Sequence, residues 1–253
     1  MPTQLQPEVT PGARPANEET EAAAAAHVQS IFNSIAPSYD LLNHLLSMGL
    51  DRRWWNRTAR SFRTLLAQPN ARILDLCCGT GDMTAALLKH RPSAAEPVTG
   101  LDFSSHMLNR ARAKLPSANA LWVEGDAMHL PYPENTFDLV TSAFGFRNLT
   151  NYTAALAEIH RVLAPGGQIG ILECNQPGGL SGQLYNLHLH HILPYMGGLI
   201  SGDRAAYRYL PASIARFPRP PQMLSMLSTA GFTHTHWTGY FLRAAGLYRG
   251  TKA

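Results

Sequence analysis

Leu74-Asp75-Leu76-Cys77-Cys78-Gly79-Thr80-Gly81-Asp82 runs an apolar strand, 72–76, into a tight glycine turn that opens a helix. Glycine tolerates positive φ and carries no Cβ, so two glycines one residue apart let the backbone come close to a ligand. Dinucleotide folds and plain strand-to-helix turns use the same Gly-x-Gly, so the pattern alone leaves the ligand open. The next strand narrows the choice. Residues 97–101 are short and apolar and end in Asp102, at the spacing where a carboxylate hydrogen-bonds a ribose diol.

A dinucleotide site asks for a third glycine, and here Gly81 is followed by Asp82-Met83-Thr84. A carboxylate there repels a pyrophosphate and favours a guest with positive charge. S-adenosylmethionine, with its ribose, adenine and sulfonium, meets that requirement.

The chain has 253 residues, 45% of them apolar, a formal net charge of +4 and three cysteines. One domain with a good core is the expectation. The basic residues are spread along the sequence rather than blocked, which does not call for nucleic acid. Two of the cysteines are adjacent and none forms Cys-x-x-Cys, so neither a disulfide framework nor a zinc site is indicated, and a reducing cytoplasm suits them. Residues 1–21 are rich in Pro, Glu, Thr and Ala without a secretory pattern and read as a disordered tail. No apolar run approaches the roughly 18 residues of a membrane span, so any bilayer contact is peripheral.

Two or three helices precede the first strand and make a cap over 22–70: 22–35, a second beginning near Tyr39, and a third around Trp54 and Trp55. From residue 72 strands and helices alternate: strands 72–76, 97–101, 120–124, 137–143 and 168–173, with helices 82–90, 105–114 and 152–163. Such alternation makes a parallel sheet covered on both faces. A helical insertion over 180–218 interrupts the rhythm. A helix at 220–229 and two closing antiparallel strands, 232–238 and 241–248, complete a seven-stranded α/β sheet in a single domain over 22–253.

Further ligand contacts are expected after strand three, at Asp126-Ala127, where Asp126 equally suits a helix cap. Asp75 either organises the turn amides or meets the cationic end of the ligand through water. The loop after the fourth strand, Ala143-Phe144-Gly145-Phe146-Arg147-Asn148, faces the crevice at the carboxyl ends of the strands. Arg147 and Asn148 are its polar groups; the alternative for Arg147 is a structural pairing with a carboxylate. His188 and His191 share a helix face, but with no third ligand at fixed spacing a metal is not expected.

The chain resembles class I methyltransferases, and most closely the demethylmenaquinone and ubiquinone C-methyltransferase family. Three stretches carry the resemblance: Tyr39-Asp40-Leu41-Leu42-Asn43 with Ser47 and Trp54; Arg161 to Gly167 through Glu173 and Pro177; and Tyr207-Arg208-Tyr209-Leu210-Pro211-Ala212-Ser213-Ile214 with Phe217-Pro218. It implies a Rossmann-like sheet, S-adenosylmethionine as cosubstrate, and cofactor contacts at Thr80, Asp102, Asp126 and Ala127, beside Gly79, Gly81 and Ala143. It also implies a polyprenyl quinol substrate. Tyr39, Asn43 and Tyr207 are then candidates for placing its ring, Arg147 for stabilising its phenolate, and Asn148 for helping to accept the proton. Family members usually carry a histidine where Asp51 stands, a lysine at Ala164, and a small hydroxyl residue at Ala143. Arg204, Arg208, Arg216 and Arg219, with Leu193, Met196, Leu199 and Ile200, read equally as a lipid-facing group or as a solvated face over ordinary core.

Overall fold

The structure is a computed structural model that describes residues 12–13, 20–36, 39–47, 49–178 and 204–253. Four helices come first: α1 (Glu21–Ile35), α2 (Tyr39–Leu46), α3 (Asp51–Arg60) and α4 (Arg63–Leu66). The alternating part follows as β1 (Ile73–Leu76), α5 (Asp82–Leu88), β2 (Val98–Asp102), α6 (Ser105–Lys114), β3 (Ala120–Glu124), β4 (Phe137–Ala143), α7 (Tyr152–Val162) and β5 (Leu163–Cys174). Beyond residue 203 come α8 (Arg204–Arg216), α9 (Pro220–Thr229), β6 (Phe232–Tyr240) and β7 (Ala245–Lys252).

The seven strands lie in the order β3-β2-β1-β4-β5-β7-β6. The first five are parallel, and β7 is antiparallel to both β5 and β6. Strand order reverses between β1 and β4, which opens a crevice at their carboxyl ends. Alternate residues feed two cores. Ile73 and Leu139 pack toward Trp54, Trp55, Phe62 and Leu87 on one face. Leu74, Leu76 and Val140 pack toward Ile159, Val162 and Leu227 on the other. A sheet covered on both sides therefore reads as nearly continuous apolar runs, as β1 does.

Caps explain where the helices begin. Thr20 accepts the Ala23 N–H at 3.1 Å, Ser104 the Met107 N–H at 3.2 Å, and Asn151 the Ala154 N–H at 3.0 Å.

Three expectations are corrected. β5 starts at Leu163 rather than 168, because Leu163 pairs with Phe137 ahead of a register shift that absorbs the Ala164-Pro165-Gly166-Gly167 stretch. The last strand begins at Ala245 rather than 241, because Phe241, Leu242 and Arg243 all take left-handed φ and form a turn. Gly12 and Ala13, expected in a disordered tail, lie against the loop after β4, where the Ala13 N–H donates to the Leu149 carbonyl at 2.7 Å. His188, His191, Leu193, Met196, Leu199 and Ile200 lie outside the described residues, as do the side chains of Tyr39, Arg204, Tyr207 and Arg208. No described helix is long and apolar enough to cross a membrane.

Candidate active site

Cys77 leaves β1 with φ +54, followed by Gly79 at +55 and Gly81 at +85. This left-handed path turns the Gly79 N–H onto Asp102, whose Oδ2 accepts it at 2.8 Å while Oδ1 accepts the Ser104 N–H at 2.9 Å. Burial pushes Asp102 up to about 6, opposed by those backbone donors. With backbone N–H donors from Ser104, Gly79 and Phe103 on two oxygens that together offer about four acceptor sites, the carboxylate keeps room for a ribose hydroxyl.

Asp102 lines a cleft of about 650 Å³ together with Gly79, Phe103, Met107, Asp126, Ala127 and Asn148. The walls are mostly apolar, suited to a flat heterocycle. Val28 and Phe32 of α1 close one side. Two hydrogen bonds fasten that helix: Gln29 Nε2 donates to the Phe103 carbonyl at 2.6 Å, and Ser104 Oγ donates to Asn33 Oδ1 at 2.6 Å. Val28, Gln29 and Asn33 were not singled out from the sequence; the recurrence of Ala24, Val28 and Phe32 every four residues was the available signal. The pocket thus fits an adenosine: a buried acid for the diol, glycine backbone beside it, and an apolar slot.

Several expected contacts lie elsewhere. Asp75 is fully buried beneath the turn and does not line the cleft; its oxygens accept the Thr84 hydroxyl at 2.6 Å and the Thr141 hydroxyl at 3.0 Å. Its desolvation pushes it up to about 7. Gly81 serves packing, since a Cβ there would stand 2.8 Å from the Trp122 ring. Asp126 does line the cleft, and also caps its own turn, accepting the Met128 N–H at 2.9 Å and pairing with His129.

Beyond Cys77 lies a second hollow of about 300 Å³, lined by Asn43, Cys77, Thr80, Asp82, Ala143 and Phe144 among others. Thr80 donates to Asp40 Oδ1 at 2.5 Å, and Lys114 reaches Asp40 at 3.0 Å and Asp82 at 2.7 Å, tying α2 onto the turn. Burial pushes both the Cys77 and Cys78 thiols well above their usual value, which makes them small packing groups rather than nucleophiles.

Asn43 and Phe144 also line a third hollow of about 330 Å³, with Ser47, Asp51, Trp54, Arg147 and Cys174. Arg147 is buried, and its partner is Glu173 at the end of β5: Nη1 meets Oε2 at 3.0 Å, the Arg147 N–H meets Oε1 at 3.0 Å, Nε reaches Ser213 Oγ at 3.3 Å, and Nη1 also donates to the Phe144 carbonyl. The structural pairing weighed from sequence is therefore present, and it holds the guanidinium at the wall of the hollow. Asn148 faces the larger cleft instead, its Oδ1 accepting the Tyr209 hydroxyl at 3.1 Å. Asp51, noticed from sequence only as a departure, supplies the carboxylate of this hollow, with Oδ1 3.3 Å from His44 Nδ1.

The model of the ubiE/COQ5 methyltransferase family matches residues 19–252. The chain is 43% identical over 228 residues to the demethylmenaquinone methyltransferase of Deinococcus radiodurans, covering 89% of this chain and 92% of that one. It is 47% identical over 206 residues to the enzyme of that name from Thermus thermophilus, covering 80% and 91%. Among solved structures, a SAM-dependent methyltransferase from Thermotoga maritima superposes with TM-score 0.60 at 18% identity, over 90% of this chain and all of that one. The [4+2]-cyclase SpnF gives 0.65 at 20%, over 90% and 96%. These two show the fold, which evidently hosts more than one chemistry.

Proposed function

Because the chain belongs to the ubiE/COQ5 methyltransferase family, we propose that it transfers a methyl group from S-adenosylmethionine to a ring carbon of a demethylated polyprenyl quinol, with 2-demethylmenaquinol as the substrate. The names of the two relatives above, both demethylmenaquinone methyltransferases, support the naphthoquinol. The arrangement that carries the reading is the line of three hollows, with an acid for a ribose at one end and a carboxylate and a guanidinium at the other.

S-adenosylmethionine, when bound, supplies an electrophilic methyl group. In this reading Asp102 would hold the ribose, Phe103, Met107 and Ala127 would receive the adenine, and Thr80 and Ala143 would border the sulfonium end. A quinol ring carbon becomes nucleophilic once the neighbouring phenol loses its proton. Asp51 accepts that proton, and His44, half exposed, conducts it to solvent. Arg147 stabilises the phenolate through directed N–H donors, since Glu173 cancels much of its long-range field while fixing its orientation. Asn43 and Trp54 bound the ring, with Tyr39 and Tyr207 as further candidates from sequence. Asn148 fixes the loop through Tyr209 rather than moving the proton. Holding the ring carbon in line for attack would supply the rest of the acceleration, and the hydrogen of the methylated carbon then passes to the phenolate oxygen to restore the aromatic quinol, so the proton taken by Asp51 is the one net proton released.

Incubation with isotope-labelled S-adenosylmethionine and a panel of demethylated naphthoquinols and benzoquinols, read by mass spectrometry, tests the proposal. Methylation of the naphthoquinol is expected; cofactor binding with no quinol methylated would refute it. Arg147→Ala should keep cofactor affinity and lose about 100-fold in turnover.

A further inference from the structure

We propose that the outer face of α3 and the turn between β6 and β7 form a docking surface for an anionic lipid bilayer. The need for such a surface rests on the quinol reading, because a long isoprenoid tail resides in lipid; the surface itself is argued from charge, exposure and topology.

Residues 52–74 and 204–253 hold thirteen of the chain's 21 lysines and arginines and none of its 17 aspartates and glutamates. The fold sets the four exposed arginines of α3 beside Arg249 of β7. α3 buries Trp54, Trp55, Thr58 and Ala59 and exposes Arg52, Arg53, Arg57 and Arg60. Arg53, Arg57 and Arg60 fall on one stripe at helical spacing. Three contacts fix α3 beside the closing strands: Arg57 lies 4.3 Å from the Tyr240 ring centroid, Thr58 Oγ1 is 3.2 Å from the Tyr240 hydroxyl, and Arg249 Nη1 donates to the Ser61 carbonyl at 3.2 Å.

At the tip beside this stripe stand Phe241 and Leu242, 48% and 65% exposed. They are adjacent, and the left-handed φ of Phe241, Leu242 and Arg243 holds them outward in a turn closed by the Ala244 N–H on the Phe241 carbonyl at 2.9 Å. Such backbone is costly away from glycine and persists where the surroundings impose it. The tip also lies at the functional end of the sheet. Ala245 pairs with Cys174, and the Asn175 N–H donates to the Ala244 carbonyl at 2.8 Å, so the turn adjoins the carboxyl end of β5 beside the Arg147 hollow.

Cations flanking a pair of bare apolar side chains match a bilayer interface, where anionic headgroups take the charge and the acyl boundary takes the apolar tip. A phosphodiester backbone would satisfy the arginines and leave Phe241 and Leu242 in water. The surface therefore brings the mouth of the site to the membrane that holds the substrate. It differs from the lipid-facing group weighed from sequence over 193–219.

Co-sedimentation of the full chain with mixed phosphatidylcholine–phosphatidylglycerol vesicles, and with phosphatidylcholine alone, tests this. The wild type should bind the anionic vesicles and be released by salt. At about 1 kcal/mol per arginine, Arg53→Glu/Arg60→Glu should lower partition by about 30-fold or more. Phe241→Asn/Leu242→Asn, with a residue that accepts left-handed φ, should lower it several-fold by an independent route. Both variants should methylate a short-tailed, water-soluble quinol like the wild type and lose turnover only on vesicle-embedded substrate. Equal partition of wild type and both variants would overturn the proposal. So would vesicle-blind protein whose binding to single-stranded RNA is abolished by the same substitutions. Failure on the short-tailed quinol with intact vesicle binding would instead count against the methyl-transfer reading.

Discussion

Asp75 gives a prediction whose size follows from its surroundings. The carboxyl is cut off from water beneath the glycine turn, and burial raises it from 3.8 to about 7 against the opposing hydroxyls of Thr84 and Thr141. Between those two values the folded chain keeps a proton that the unfolded chain has released. Stability therefore falls as pH rises across the window, by 1.36 kcal/mol per unit for one proton. About three units give about 4 kcal/mol, fully present below pH 3.8 and lost above about 7. Asp75→Asn removes the titration while keeping the shape. Its amide can face one threonine hydroxyl as donor and the other as acceptor, because a hydroxyl plays either part. Urea unfolding of both proteins at several values between pH 4.5 and 8 should show the variant gaining on the wild type by roughly 3 kcal/mol across the range, the remaining ~1 kcal/mol lying below pH 4.5. A difference that stays constant with pH would refute the reasoning. Because Asp75 does not line the cleft, cofactor affinity at neutral pH should stay within about threefold of wild type; a large loss would restore Asp75 as a ligand contact.

Asp102→Asn should weaken S-adenosylmethionine binding by about 2 kcal/mol, roughly 30-fold, by removing the charge from its hydrogen bonds. In the wild type, calorimetric affinity should fall as pH drops through about 6, where Asp102 takes up its proton. Glu173→Gln should destabilise the fold by about 3–5 kcal/mol because it leaves Arg147 buried beside a neutral partner. The double variant Arg147→Met/Glu173→Leu should regain most of that stability in urea titration while remaining inactive. Gly145→Ala should be poorly tolerated, with a Cβ only 2.4 Å from that of Cys77; thermal unfolding should register a loss of about 1–3 kcal/mol.

Much of the frame was legible in the chain because it is local. Helix 105–114, strands 120–124 and 137–143 and helix 220–229 fall where periodicity and caps put them. The glycine turn and Asp102 were legible for the same reason: strand, turn and acid are set by near-neighbour chemistry, and the Gly79 to Asp102 hydrogen bond joins what spacing had already paired. Boundaries at the bulge after Leu163 and at the left-handed 241–243 turn were not, since each depends on a partner strand.

By itself the sequence determined the alternating α/β order, the nucleoside-type turn and the acid that closes it, because these follow from side-chain periodicity and glycine placement within short stretches. Tertiary structure alone decided which groups share a hollow. It took Asp75 and Gly81 out of the cleft, joined Arg147 to Glu173 across 26 residues of chain, brought Asp51 into the Arg147 hollow, and laid α1 over the cleft. Those outcomes depend on which surfaces exclude water together, and burial is a property of the packed whole that no single stretch carries.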